Sequence, residues 1–332
     1  MQEYYQLYTG NNWGNNRCHS TEMCIDKGVV VKLFLLPYGC VHMIRLLSIA
    51  IFMFPLFLSA ETITVKTKAP QNRNAVFQYR VPKGYDKNRR EMYRVLVIFG
   101  GRNTNGKADA SGRMGWGKWC DDNDIFLVVP GLKNDNYWDP KEWSGLALQR
   151  ALLQLKENYN ICTEKILYYG YSAGSQASNL FAAWRPRLCR AWVSHACGVF
   201  HEPTIRMKDI PGLVTCGDAD QARYIISRNF VEASRKKGVN IIWKSFPNHP
   251  HDVPPDSLKL ARAFLIYYHE LNRDDLIGFG NRRNEQKSAY IGDDQEAVYY
   301  PVHSAKAKNV LPEDRVELPN KSVADAWGES AK

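Results

Sequence analysis

Short apolar runs alternate with stretches of helical periodicity from about residue 62 to residue 271. Near-continuous apolar runs are typical of parallel strands that helices cover on both faces. The predicted strands are Thr62 to Lys66, Val76 to Val81, Arg94 to Phe99, Ile125 to Pro130, Lys165 to Gly170, Ala191 to Ala196, Gly212 to Cys216 and Asn240 to Phe246.

Several segments between these runs place their apolar residues on one face of a helix. The predicted helices are Ser144 to Tyr159, Gln176 to Trp184, Gln221 to Lys237 and Asp256 to Leu271. Ser144 is placed to cap the first of them, and Gly238 to stop the third. The alternation of strands and helices predicts the α/β class, with a mostly parallel sheet covered by helices on both faces.

The chain ahead of this pattern has the features of a leader. Met43 and Arg45 precede an uncharged apolar stretch that ends on small residues at Ala60, which is the layout of a secretory signal peptide. The stretch is shorter than the about 20 residues that span a bilayer. Residues 43–60 therefore predict a secreted or periplasmic protein with no stable membrane anchor. Residues 1–42 are interpreted as a non-native extension from a mis-called start, and an unusually long leader is the competing interpretation.

The remaining chain is divided into a folded domain, residues 61–271, and an extension of unknown role, residues 272–332, without a clear amphipathic element.

The net charge of +10 is spread over short clusters, which disfavours nucleic-acid binding. The cysteines after residue 60 are odd in number and lack paired C-x-x-C spacing, so no metal site is predicted. Export would permit one or two disulfides. No cofactor is required.

The candidate nucleophile is Ser172, at the centre of Gly170-Tyr171-Ser172-Ala173-Gly174. A predicted strand leads into this motif and a predicted helix follows it. A serine on such a sharp turn needs small residues two positions to either side, because the backbone there crowds neighbouring elements. The alternative is a surface serine in a glycine-rich turn. A serine hydroxyl becomes a strong nucleophile only when a base removes its proton, so an acid and a histidine are expected later in the chain.

Asp220 is the preferred acid, because it follows the strand Gly212 to Cys216 at the end that faces the nucleophile turn. Asp218 is its rival, with capping of the turn as the simpler role. Glu202 is a more distant candidate.

His251 is the preferred base, since it lies after the last predicted strand and before the closing helix. His249 is its rival two residues away. His195 lies in an apolar strand and is therefore interpreted as a core residue. Ser194 and His195 are not interpreted as a catalytic pair, because adjacent strand residues point to opposite faces.

The oxyanion of an acyl-transfer reaction needs preorganised N–H donors. Ala173 supplies the first candidate, and Gly101 or Arg102, in the glycine-rich loop after Arg94 to Phe99, supplies the second. The alternative for this loop is an ordinary glycine turn. Trp138 and Trp143 follow the strand Ile125 to Pro130 and are weaker candidates for substrate contact, with burial as packing equally expected. Tyr171, inside the motif, is a further weak candidate.

Residues from about 75 to 271 resemble the α/β-hydrolase superfamily, in particular secreted esterases similar to polyhydroxybutyrate depolymerases and feruloyl or acetylxylan esterases. The residues that carry the resemblance are Val81-Pro82-Lys83-Gly84-Tyr85, Phe99-Gly100-Gly101, Tyr169 to Gly174, Gly217 with Asp220, and His251 with Pro254. The resemblance implies the α/β-hydrolase fold and ester hydrolysis through an acyl-enzyme, in which Ser172 attacks, His251 transfers the proton and Asp220 orients the imidazole. Ser175 departs from the pattern, because these esterases often have a second glycine there.

The expected substrate is a small-molecule or polysaccharide-linked ester. Two other functions stay open: a serine peptidase resembling the catalytic domain of prolyl oligopeptidase, and a non-catalytic binding module on the same scaffold. No β-propeller repeat precedes the domain, and no expected active-site residue is missing, so the ester hydrolase is preferred to both.

Overall fold

The structure, a computed structural model, describes the backbone of residues 20–25 and 29–34, and residues 60–66, 74–133, 136–271 and 288–331 with their side chains. Most of the predicted signal peptide, residues 43–59, lies outside the described residues. The chain divides into two compact units, Met1–Phe57 and Leu58–Lys332. In the first unit, β1 (Ser20–Ile25) pairs antiparallel with β2 (Val29–Phe34), where the sequence pattern indicated no element. The β-branched run Val29 to Val31 favours extended backbone without any alternation.

The second unit is built on an eight-stranded sheet in the described part of the chain. Its order is β10-β9-β8-β7-β5-β6-β4-β3, and the strands from β10 to β6 in this order run parallel, while β4 and β3 are antiparallel additions at one edge. This confirms the predicted α/β class. The strands are β3 (Glu61–Lys66), β4 (Asn74–Arg80), β5 (Tyr93–Phe99), β6 (Phe126–Pro130), β7 (Ile161–Tyr171), β8 (Cys189–His195), β9 (Gly212–Gly217) and β10 (Ile241–Phe246).

The longer helices follow the prediction to within three residues at each end. The helices are α1 (Lys107–Ser111), α2 (Trp116–Asp122), α3 (Gly145–Asn158), α4 (Ala173–Trp184), α5 (Gln221–Lys236), α6 (Pro255–Glu270), α7 (Ala305–Asn309) and α8 (Lys321–Trp327). Gly238 follows α5 with a φ of 70°, as expected for a left-handed helix stop.

The predicted cap of α3 is wrong. Ser144 itself has helical backbone angles and makes no capping hydrogen bond with its side chain. A π-helical turn, Pro140–Ser144, precedes α3, and Asp139 caps that turn by accepting a hydrogen bond from the Lys141 N–H. The helical segment therefore begins five residues earlier than its apolar periodicity indicated, because Pro140 starts the turn with a fixed φ.

Strand β5 shows how the core is divided between the two faces of the sheet. Val95 and Val97 pack in the core on one face, and Leu96 and Ile98 pack in the core on the other. All four side chains are fully buried. A strand that is covered on both faces can present polar side chains to a ligand only at its ends. In such sheets, sites lie at the carboxyl ends of the parallel strands.

Residues 288–331 form a small second sheet of order β13-β11-β12-β14, together with α7 and α8. Its strands are β11 (Tyr290–Asp293), β12 (Val298–Pro301), β13 (Arg315–Leu318) and β14 (Glu329–Ser330). The sequence indicated no amphipathic element here, and that expectation is wrong. Trp327 and Tyr299 are buried in the same core cluster as Leu260 and Phe264 of α6, so the extension packs against the main sheet's helical layer.

Within the described ranges, no helix is both long and apolar enough to cross a membrane. No group of three or more His, Cys, Asp or Glu side chains in those ranges is arranged to hold a metal ion. Cys120, Cys162, Cys189, Cys197 and Cys216 are all buried.

Candidate active site

Ser172 lies between the end of β7 and the start of α4, in a strained backbone conformation. Its φ is 58° and its ψ is −123°, which is rare for a residue with a side chain. The Ser172 N–H donates to the His195 carbonyl at 3.0 Å, and the Ser175 hydroxyl donates to the Ser172 carbonyl. These bonds hold the turn in the strained form. Ser175, which departs from the pattern expected from the sequence resemblance, thus has a defined contact.

The glycines around Ser172 are required by the close approach of the backbone. A Cβ on Gly170 would lie far inside van der Waals contact with the Gly174 carbonyl, and a Cβ on Gly174 would collide with the carbonyls of Phe99 and Gly100. The sequence argument for small residues at these two positions therefore has a direct structural cause. The same contacts bring the loop after β5 against the nucleophile turn.

Ser172, His251 and Asp220 form an unbroken series of hydrogen bonds. The Ser172 hydroxyl lies 2.9 Å from His251 Nε2, and His251 Nδ1 lies 2.7 Å from Asp220 Oδ2. Because a carboxylate only accepts, Nδ1 carries the ring proton and Nε2 is left to accept from the hydroxyl. Three residues far apart in sequence thus meet at the carboxyl ends of β7, β9 and β10.

The two oxygens of Asp220 have different partners. Oδ2 faces His251, and Oδ1 accepts a hydrogen bond from Arg223 Nη1 at 2.9 Å. The Asp220 side chain is only 7% exposed, so its charge needs this partner. Sequence analysis missed Arg223, although its position three residues after the acid, one helical turn away, was a usable signal.

The rival residues have other contacts. Asp218 Oδ1 accepts from the Asn248 N–H at 2.6 Å, which is the turn-capping role considered for it. His249 Nδ1 lies 3.2 Å from Asp252 Oδ2 rather than at the serine. Glu202 is exposed and pairs with Lys237 at 2.6 Å.

Two aromatic side chains hold the loop that carries His251, and sequence analysis did not assign this role to either. The Tyr171 hydroxyl donates to the His251 carbonyl at 2.9 Å, and its ring stacks on the His251 ring at 5.2 Å between centroids. His195 Nε2 donates to the Asp252 carbonyl at 2.8 Å, while Nδ1 pairs with the Thr215 hydroxyl at 2.7 Å. Burial lowers the pKa of His195 to about 4, so the ring is neutral at physiological pH. His195 is structural, as predicted.

The residues predicted as oxyanion donors are Ala173, Gly101 and Arg102, and their surroundings differ. A Cβ placed on Gly101 would be 3.6 Å from the Tyr171 ring and 3.9 Å from Ser172 Cβ, so this loop touches the turn. Ala173 is the first residue of α4, where backbone N–H groups lack helical partners. The Arg102 side chain is exposed, and its charge opposes the rise in the pKa of Tyr137 to about 12 that burial causes.

The aromatic candidates divide between packing and surface. Trp143 is 5% exposed and belongs to the hydrophobic core, in agreement with the packing alternative. Trp138 is partly exposed and packs edge-on against Tyr137, with 5.3 Å between ring centroids. Trp138 is therefore the more accessible of the two tryptophan candidates.

This arrangement is suited to nucleophilic chemistry. An imidazole within hydrogen-bond reach of a hydroxyl can accept its proton, and a buried carboxylate on the other ring nitrogen stabilises the imidazolium that forms.

No protein-family model matches the sequence, and no curated protein matches it. Solved structures do resemble the structure of this protein. A ferulic acid esterase is 15% identical, with 63% of this chain covering 96% of that chain at a TM-score of 0.50. The chain has the α/β-hydrolase fold of such esterases.

Further solved structures match parts of the chain. A protein of Bacteroides ovatus named as a dipeptidyl aminopeptidase IV is 17% identical, with 64% of this chain covering 36% of that chain at a TM-score of 0.52. A thermostable esterase is 18% identical, with 66% of this chain and 62% of that chain covered, at a TM-score of 0.49. The chain therefore spans less than two thirds of the length of these two proteins. At such identities the likeness concerns the α/β-hydrolase fold and not the activity.

Proposed function

We propose that this protein is a serine carboxylic ester hydrolase that works through an acyl-enzyme. The observation that carries the proposal is the continuous hydrogen-bond series from the Ser172 hydroxyl through His251 to the buried Asp220 carboxylate. A serine in a strained turn with its hydroxyl on an imidazole is poised to act as a nucleophile.

The reaction has two halves. Ser172 Oγ attacks the ester carbonyl as its proton passes to His251 Nε2, and the imidazolium then gives this proton to the departing alcohol. Water, deprotonated by His251, attacks the acyl-enzyme and releases the carboxylic acid, and the proton returns to Ser172. The Asp220 carboxylate stays ionised and stabilises the imidazolium in both halves. The Ala173 N–H and a donor from Gly101 or Arg102 would bind the oxyanion.

The test is hydrolysis by the full chain beside Ser172→Ala. We expect fluorophosphonate labelling and turnover of aryl acetates or feruloyl esters by the wild type, and a loss of about 10⁶-fold in kcat for the variant, as for loss of a triad serine. Equal behaviour of the two proteins would favour the non-catalytic module. Cleavage of aminoacyl arylamides without ester turnover would favour the peptidase, a function motivated by the fold shared with the aminopeptidase-named structure.

Export from the cytoplasm is part of the proposal. It is supported by the signal-like sequence of residues 43–60, with its basic start, apolar stretch and small residues at the end. N-terminal sequencing of the mature protein is expected to begin at about residue 61. A mature protein that retains residues 1–60 and stays in the cytoplasm would contradict it.

A further inference from the structure

Three arginines lie in segments that adjoin Ser172 or its hydrogen-bond partners. Arg102 follows Gly101, which lies against the nucleophile turn. Arg113 binds Asp109 through Nε and Nη2 at 2.7 and 2.9 Å, and a Cβ on Gly100 would meet the same Asp109 carboxylate. Arg223 binds the Asp220 carboxylate, which in turn contacts His251. The guanidinium groups of Arg113 and Arg223 are thus held by carboxylates that adjoin the loop of Gly100 and His251, respectively.

The charges of these ion pairs are not evenly exposed. The side chains of Arg113 and Arg223 are 47% and 35% exposed, whereas those of their partners Asp109 and Asp220 are 0% and 7% exposed. Arg102 is exposed and has no ion pair among the described residues. In both ion pairs the guanidinium is therefore the accessible partner and the carboxylate the buried one.

The loop that carries His251 also carries a partly exposed acidic side chain. Asp252 follows His251, its side chain is 45% exposed, and His249 is its neighbour at 3.2 Å. Arg102 and Arg113 thus adjoin the loop of Gly100 and Gly101, whereas Asp252 adjoins His251, on whose side Arg223 is paired with Asp220. This asymmetry would orient a charged substrate, with its anionic group toward Arg102 and Arg113.

We propose that the preferred substrates are esters that carry a second, anionic group, such as a free carboxylate, on the acyl or alcohol part. The inference rests on the proposed ester hydrolysis. A guanidinium with N–H donors left over from its internal partner can make charge-assisted hydrogen bonds to a carboxylate. The exposed Arg102 and the partly exposed Arg113 and Arg223 would supply such bonds.

The test compares esters that differ only in this charge. 4-Nitrophenyl hydrogen adipate is paired with 4-nitrophenyl methyl adipate, and 4-carboxyphenyl acetate with its methyl ester, so that the charge lies on the acyl or on the alcohol side. We expect the full chain to prefer the anionic member of at least one pair by about 10-fold in kcat/KM, the worth of one charge-assisted hydrogen bond. Added salt should reduce this ratio, because ions screen the exposed guanidinium groups.

Two variants of Arg102 decide whether this residue causes the preference. Arg102→Gln should lower the anionic-to-neutral ratio, and Arg102→Glu should bring it below one. Arg187→Gln is the matched control, since Arg187 is exposed and precedes β8. It therefore lies at the amino end of that strand, whereas Ser172 follows the carboxyl end of the parallel strand β7. Hydrolysis of the neutral esters with a ratio at or below one, or a ratio that salt and Arg102 do not change, would overturn the substrate class alone. Failure to hydrolyse any of the four esters would overturn the proposed function with it.

Discussion

The nucleophile turn and the C-terminal extension are stabilised in contrasting ways. At the turn, three alternate positions within five residues decide the structure, because Gly170 and Gly174 leave no room for a Cβ and Ser172 takes a positive φ. In the extension, the four short strands and two helices gain stability by burying aromatic residues such as Tyr299 and Trp327 against α6 and β10.

This contrast explains why one region was predictable and the other was not. A backbone that only particular residue types can adopt produces a motif in the sequence. Strands of two to four residues are too short to display an alternating pattern, and their burial depends on partners elsewhere in the chain. Substitutions can test whether local backbone stabilises the turn and whether long-range packing stabilises the extension.

The largest effect is expected from Gly174→Ala. Its Cβ would overlap the carbonyls of Phe99 and Gly100, so the turn should lose its geometry and turnover should fall below detection. Gly101→Ala is the matched variant for stability, because its Cβ would meet its nearest atom at 3.6 Å. Thermal unfolding is expected to show a lowered Tm for Gly174→Ala and a nearly unchanged Tm for Gly101→Ala. Equal Tm values would show that the turn tolerates side chains.

Asp220→Asn and Asp218→Asn separate the acid from its rival. Loss of the carboxylate on His251 Nδ1 should lower kcat by about 10⁴-fold, because an amide favours the wrong tautomer. Asp218→Asn keeps an oxygen for the Asn248 N–H and should change kcat much less. Steady-state hydrolysis of an aryl ester by both variants is the measurement. A larger loss in Asp218→Asn would reverse the assignment.

Trp327→Ala tests the packing of the extension. The side chain is buried and its Nε1–H donates to the Trp243 carbonyl of β10 at 2.6 Å. Its removal should lower the free energy of unfolding by about 3–5 kcal/mol. Urea denaturation measures this, with the exposed Lys308→Ala as a control of near-zero effect. A loss below about 1 kcal/mol, the scale of a surface change, would mean that the extension contributes little to the fold.

The smallest effect concerns His195 and pH. Its folded pKa of about 4 lies below the ordinary 6.5 because burial disfavours the charged ring. As the pH falls below 6.5, the unfolded chain binds the proton first, so stability is lost until the folded ring also protonates near pH 4. The loss attributable to this group is at most about 3 kcal/mol.

His195→Gln should remove this part of the pH dependence. Urea denaturation of both proteins at pH 7 and pH 4.5 measures it, since the titrations common to both proteins cancel in the comparison. The same fall in stability in both would show that His195 does not titrate as described.

Much of the site followed from the sequence, and the remainder did not for a physical reason. Ser172, Asp220 and His251 were placed by their order along the chain and by the strands that precede them. Tyr171 was not recognised as a support for His251, because its role depends on a contact between β7 and the loop of His251. Arg223 was overlooked although its spacing from Asp220 is local.

The sequence by itself determined the α/β class, the strand-turn-helix around Ser172 and the residues available for an acid and a base. These features follow from local periodicity and from backbone that only glycine permits. Tertiary contacts determine that Asp220 rather than Asp218 meets His251, that Asp109 and Asp220 are buried while their arginine partners are partly exposed, and that residues 288–331 join the main core. Such choices depend on distances between residues far apart in the chain, which local periodicity does not record.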